Sequence, residues 1–353
     1  MKRLLFVALS ILLAATAEAD RRRASRSPGG WTVPQCTAVT GFPAVALSLD
    51  GGASVLPQSE GVEGLQIHTF GLAATDKPNR LLAITGRVLL VSEDGGCSWS
   101  PEGRLGFPEH LYRFAGSWAW SPLAPALFRA GDAIEQRTAP VLLPLTLGVE
   151  PAYPQRLATA DDQGAIWWSE DGAQTWALHA TAPARPPLYA LEFSARGRAH
   201  ALAAGLADGA HVTFDGGATW TPSAGLAGLN VFRIAFSPID PDVVWAVAID
   251  PKGKGPSRRG IFLSNDGGRS FRRVLAGSAE VQMTNGFTLA PSPVDRSLLH
   301  FALAGTSLVL LDDTGTIRRR AELPHRDVNA IVFSPASPHV MVLGLKISDM
   351  SAQ

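Results

Sequence analysis

The sequence predicts an all-β fold assembled from a repeated four-stranded unit, and three observations predict it. One eight-residue phrase recurs, at residues 92–99, 169–176, 213–220 and 264–271. Apolar runs of strand length, several ending in Ser-Pro, lie between the copies. The two ends of the repeat region hold complementary halves of one unit. Recurrence at a fixed internal spacing is the signature of a repeat architecture.

The phrase reads Ser/Thr, any residue, Asp, Gly, small, any residue, Ser/Thr, aromatic, as in Ser92-Glu93-Asp94-Gly95-Gly96-Cys97-Ser98-Trp99. Each position has a physical task. The aspartates Asp94, Asp171, Asp215 and Asp266 accept hydrogen bonds from backbone N–H groups a few residues on. The hydroxyls satisfy further turn groups. The glycines supply positive φ, and Trp99, Trp176, Trp220 and Phe271 anchor the strand that follows. The phrase is a self-sealed turn between two strands, and its aspartates are expected to be structural. Two weaker copies extend the series, one at Asp50 and one at Asp313. Successive aspartates stand 44, 77, 44, 51 and 47 residues apart from Asp50 to Asp313. The 77-residue gap is two periods with one turn missing, expected near residues 130–134.

The phrase resembles the Asp-box, or BNR repeat, of β-propellers such as sialidases, xyloglucan-degrading hydrolases, sortilin-type receptors and the photosystem II assembly factor. The resemblance implies about seven four-stranded blades, with each box between the third and fourth strands and remote from the binding face. A unit then reads strand, turn, strand, loop, strand, box, strand. Residues 231–238, 328–335, 117–122 and 188–194 are read as copies of the phrase that precedes each box, the inner strand. The last copy, 328–345, has two strands and no box, while the box at Asp50 has two strands and nothing before it. Together they make one blade, with strands near 44–49 pairing with strands near 340–343 and leaving no open edge.

Residues 1–19 read as a secretory signal peptide: Lys2 and Arg3, an apolar run from 4 to 15, and Ala17-Glu18-Ala19 as the cleavage site. Residues 20–35 read as a basic linker, 36–347 as the propeller and 348–353 as a tail. The expected location is periplasmic or extracellular, with no membrane span. Cys36 and Cys97 are the only cysteines, and sequence leaves open whether they pair.

The 353-residue chain has zero formal net charge, which argues against a nucleic-acid partner. Histidine and cysteine spacings build no metal site, and no cofactor motif is present. Two functions are weighed. The first is a non-catalytic scaffold that binds a protein partner, or a glycan, through the loop 250–260, where Lys252, Lys254, Arg258 and Arg259 cluster. The second, implied by the resemblance, is a glycoside hydrolase of sialidase or xyloglucanase type. Its carboxylates would be Asp161 and Asp162, between the second and third strands of the third blade, with Glu192 on the next inner strand. Phe232-Arg233-Ile234-Ala235 approaches the Phe/Tyr-Arg-Ile-Pro motif of sialidases, lacks its proline, and is read as coincidence. The scaffold is the favoured reading.

Overall fold

A computed structural model describes residues 28–59, 67–86, 88–105, 113–130, 134–180, 186–205, 208–283, 288–303, 307–323 and 326–347. Among them the chain forms seven four-stranded antiparallel sheets arranged as the blades of a propeller. Blade 1 is Gly71–Ala74, Leu81–Thr85, Val88–Ser92 and Ser100–Arg104. Blades 2 to 6 follow in chain order and begin with the inner strands Arg113–Ala115, Thr146–Val149, Leu188–Ser194, Asn230–Phe236 and Leu289–Pro291. Blade 7 has Arg326–Phe333 innermost. Each inner strand touches the next, from blade 1 round to blade 7 and back to blade 1. The signal peptide, the tail and residues 20–27 of the linker lie outside the described residues.

Closure follows the complementary ends. Met341–Ile347 is the hub of blade 7, pairing with Arg326–Phe333, with Val45–Ser48 and with the short Ile67–His68. The register sets Val45 opposite Gly344 and Ser48 opposite Met341. This seam is dry: Val45, Ala46, Leu47 and Leu343 are fully buried. The packed chain reaches back to Trp31, which is buried against Val39, Leu47 and Leu81 within the stretch expected as linker. The Cys36–Cys97 disulfide joins this N-terminal segment to the aspartate turn of blade 1. Beside it, Thr40 N–H donates to the Cys97 carbonyl at 2.9 Å, and Trp99 N–H donates back to the Thr40 carbonyl at 3.1 Å.

The aspartate turns are saturated by their own hydrogen bonds. Asp94 Oδ1 accepts from the backbone of Cys97 and Ser98 at 3.0 Å and from the Ser92 hydroxyl at 2.8 Å. Its Oδ2 accepts from the Ser98 hydroxyl at 2.5 Å. Ser92 Oγ in turn accepts from Gly96 N–H at 2.8 Å. Asp50, Asp171, Asp215 and Asp266 sit in the same arrangement. The Thr175 and Thr219 hydroxyls are the main reason why Asp171 and Asp215 are pulled down to about 2. The second turn glycine is needed for space as well as φ. A Cβ on Gly268 would stand 2.7 Å from Leu202 of the preceding blade.

Two expectations are corrected here. In blade 6 the turn acceptor is Asp312: its Oδ1 takes the N–H groups of Thr314 and Thr316, and Arg318 holds its Oδ2. The third strand, Ser307–Asp312, runs to Asp312 itself, so the carboxylate stands where the other turns place a serine or threonine. In blade 2 the run Trp118–Ser121 is the second strand, and the inner strand is Arg113–Ala115. Trp118 and Trp120 are buried between blades, a position open to an apolar strand in either place. The missing turn of this blade does fall between its third and fourth strands, Ala124–Ala130 and Ile134–Thr138.

Histidines lock neighbouring blades together. His179, His200 and His300 each point Nε2 at the carbonyl of the first turn glycine of the next blade: Gly216 at 2.7 Å, Gly267 at 2.7 Å and Gly51 at 3.3 Å.

Candidate functional site

Antiparallel order divides the loops into two faces. Turns joining first to second and third to fourth strands open on one face. Loops joining second to third strands, and connections between blades, open on the other. The aspartate turns therefore lie opposite the loops at 161–165 and 250–258.

The loop face carries three exposed leucines and two charged lobes. Leu123, in the turn between the second and third strands of blade 2, is 52% exposed. Leu142 and Leu143, in the connection from blade 2 to blade 3, are 81% and 44% exposed. At 81% exposure Leu142 buries little of its side chain in its own domain. Nearby in the ring, the blade 3 turn carries Asp161 and Asp162. Asp161 Oδ1 accepts from Gln163 N–H at 3.0 Å and Ala165 N–H at 2.8 Å, so it shapes the turn, while Asp162 is exposed.

The cationic lobe is a built loop. Asp250 N–H donates to the Arg258 carbonyl at 2.8 Å, Asp250 Oδ1 accepts from Lys252 N–H at 2.8 Å, and a short 3-10 turn spans Pro256–Arg258. Lys252, Lys254 and Arg258 are exposed. Arg259 departs from the expectation of a fourth free cation: its guanidinium donates to the Met283 carbonyl at 2.6 Å, pinning the loop to the connection between blades 5 and 6. Between them runs an open groove of about 460 Å³ lined by Gly255, Pro256, Arg258, Arg259, Gln282 and Met283.

Glu192 is elsewhere. It lies on the inner strand of blade 4, half-buried at the central channel. Burial pushes its carboxyl up to about 7, against the opposing pull of Arg233 on the inner strand of blade 5. The structure thus separates Glu192, in the channel, from Asp161 and Asp162, in a surface turn. Arg233, from the fragment read as coincidence, lies on the neighbouring inner strand. Tyr189 and Phe232 also meet on these two strands, ring centroids 5.8 Å apart. Trp168 packs against His179, Phe193 and Arg198 and forms no exposed sugar platform. Among the described residues no cluster of histidine, cysteine and carboxylate side chains is arranged to hold a metal ion, and no helix is long and apolar enough to cross a membrane.

No protein-family model matches the chain. It is 33% identical over 359 residues to the dispase autolysis-inducing protein of Streptomyces mobaraensis, an alignment covering 96% of this chain and 95% of that one. Solved structures share the fold at low identity. YCF48 bound to a D1 peptide matches with a TM-score of 0.52 and 14% identity over 89% of this chain and 100% of its own. YCF48 from Cyanidioschyzon merolae matches with a TM-score of 0.53 and 17% identity over 80% and 96%. The computationally designed protein Ika8 does so with a TM-score of 0.53 and 12% identity over 80% and 98%.

Proposed function

The chain belongs to the family of the dispase autolysis-inducing protein, and on that premise we propose that it is a non-catalytic propeller that acts outside the cytoplasm by binding another protein, a protease, on its loop face. A protein that induces the autolysis of another must contact it, while the bond-breaking groups belong to the partner. The observation that carries the reading is the exposure of Leu123, Leu142 and Leu143 on the face that also presents the acidic turn of blade 3 and the cationic loop of blade 5. Apolar anchors give a protein interface its affinity, and flanking charge of both signs sets orientation and encounter rate. A small uncharged sugar would use neither. The signal-peptide reading and the Cys36–Cys97 disulfide both support an oxidising compartment.

The test incubates the purified protein with dispase and follows intact dispase on gels. Dispase is expected to disappear faster, with no fragments from catalytically dead dispase. A Leu142→Ser, Leu143→Ser variant is expected to lose the effect while keeping its melting temperature. Cleavage of dead dispase would make this chain the hydrolase. An unchanged rate with the leucine variant would remove the leucines from the interface. Turnover of sialosides or β-glucans, lost on Asp162→Asn or Glu192→Gln, would replace the scaffold reading by the glycosidase one.

A further inference from the structure

The groove beside the cationic loop continues past it. A second open groove, of about 400 Å³, is lined by Ala279, Glu280, Gln282, Leu303 and Arg320. Gln282 lines both, so the two adjoin and make one furrow from the blade 5 loop to the outer strand of blade 6. The furrow opens on the loop face, since Leu303 ends the second strand of blade 6 and Arg320 lies near the end of the fourth that pairs with Ser307.

Its walls are built before anything binds. Gly277 N–H donates to the Arg259 carbonyl at 2.9 Å, and the connection runs so close to the loop that a Cβ on Gly277 would stand 2.4 Å from the Pro256 carbonyl oxygen. Ser278 Oγ accepts from the N–H groups of Glu280 at 3.2 Å and Val281 at 3.0 Å, which turns the connection. Gln282 Nε2 donates to the Ala279 carbonyl at 3.2 Å, leaving one N–H and the side-chain carbonyl for a ligand. Met283 bridges to Leu303, and both are buried, so the floor is apolar. From the outer strand of blade 5, Arg273 donates to the carbonyls of Ser257 and Arg259 and props the loop from below. A groove held this firmly loses little conformational freedom when it is filled.

The two halves differ in charge. Residues 250–322 carry 11 lysines and arginines against 7 aspartates and glutamates, whereas residues 28–249 carry 12 against 20, so blades 5 and 6 are the cationic sector of the ring. On the blade 5 half, Lys252, Lys254 and Arg258 are exposed and make no ion pair among the described residues. Asp250 is the loop's own carboxylate, and its Oδ1 is taken by Lys252 N–H. Arg273 bonds to carbonyls, which satisfy its donors and leave its charge in place. On the blade 6 half, Arg320 is neutralised by Glu322 at 2.7 Å, while Glu280 is exposed. One half attracts an anion and the other repels it.

We propose that this furrow seats an extended segment of the partner protein, acidic at one end and uncharged at the other, an inference that rests on the reading of a protein partner at the loop face. The acidic end lies over Arg258 and the loop lysines. The uncharged end runs over Met283 and Leu303 past Glu280, with the Gln282 amide meeting backbone N–H and C=O groups between them. A sulfated polysaccharide, negative along its whole length, is disfavoured by Glu280.

Fluorescence anisotropy with two labelled peptides of equal length tests this, one with glutamates in its first half and alanine and serine in its second, the other glutamate throughout. The half-acidic peptide is expected to bind more tightly despite its smaller charge. Arg258→Gln should weaken it at least about tenfold. Glu280→Gln should leave it unchanged and strengthen the all-glutamate peptide until the two bind alike. All these positions are exposed, so the variants should melt like the native protein, and the gain with Glu280→Gln cannot come from a lost fold. Failure of the half-acidic peptide to bind, indifference to Arg258→Gln, or tighter binding of the all-glutamate peptide or of dextran sulfate to the native protein overturns the proposal. The dispase assay is read separately. Faster loss of dispase without peptide binding sinks the furrow and keeps the protein-binding reading; the expected peptide pattern without any effect on dispase supports the furrow and removes dispase as the partner.

Discussion

Removing the Cys36–Cys97 bridge by a double serine substitution should destabilise the protein by about 4 kcal/mol. The bridge closes a loop of 61 residues. Loop-closure entropy of about −2.1 − 1.5R ln n cal/mol/K gives about −14 cal/mol/K for such a loop, hence about 4 kcal/mol at 25 °C. The loop contains Val45–Ser48, the strand that completes blade 7, so the constraint acts on the segment that closes the ring. Some 300 ordered residues at about 2.1 cal/mol/K each imply an unfolding entropy near 0.6 kcal/mol/K, so the melting temperature should fall by about 6–7 °C. Calorimetry of oxidised wild type against the variant measures the shift. Guanidinium titration adds a second signature: the unfolded variant is more expanded, so its m-value should rise while its midpoint falls. A variant melting within a degree of the wild type, with unchanged m, would refute the reasoning.

Asp94→Ala removes the acceptor of two backbone N–H groups and two hydroxyls at an exposed turn, and should cost about 1–2 kcal/mol in chemical denaturation with partner binding unchanged. Deleting residues 326–353 takes two strands from blade 7 and should abolish the single cooperative transition; an unchanged calorimetric peak would mean that the ring closes without them. Burial lowers the pKa of His200 and His300 below 6.5, so their contribution is complete above that value and is lost as pH falls through it; melting temperature should drop from pH 7 to 5, and less so in the double glutamine variant. Glu192 has the opposite sign. Its folded pKa of about 7 exceeds the ordinary 4.5, so Glu192→Gln should raise the melting temperature at pH 8 and leave it unchanged at pH 4.5.

Much of the fold is legible in the sequence because its signals are local. Each aspartate turn closes its hydrogen bonds within eight residues, so the motif and the geometry coincide, as at Asp94 and Ser98. The matching half-units give the closure of blade 7 the same legibility. Legibility fails where a pattern is compatible with two places. The Trp118–Ser121 run is apolar enough for an inner or a second strand, and only the ring shows that the short Arg113–Ala115 lies innermost. Asp312 and Asp313 differ by one residue, and the length of the third strand decides between them. The leucines at 142 and 143 sit in an apolar run that reads as core, and their exposure is visible only once the connection between blades is placed.

The candidate sites were the least legible, for a reason that also separates structural charges from functional ones. Leu123, Leu142 and the cationic loop at 250–258 are far apart in the chain, and only the ring puts them on one face. On the opposite face, every turn carboxylate is paired within its own loop: Asp94, Asp171, Asp215 and Asp266 each accept from a hydroxyl on both oxygens. A charge saturated by its neighbours in sequence holds a turn and has little left to offer a ligand. The cationic loop shows both conditions, a committed charge and an exposed one, within a few residues. Arg259 is committed to the Met283 carbonyl and sets the loop's position. Arg258, next to it, is exposed and lines the groove, where a partner's acidic groups can reach it. Substituting Arg259 should therefore move the lobe and disturb the connection beneath it, whereas substituting Arg258 should weaken capture alone, with the defect largest at low salt.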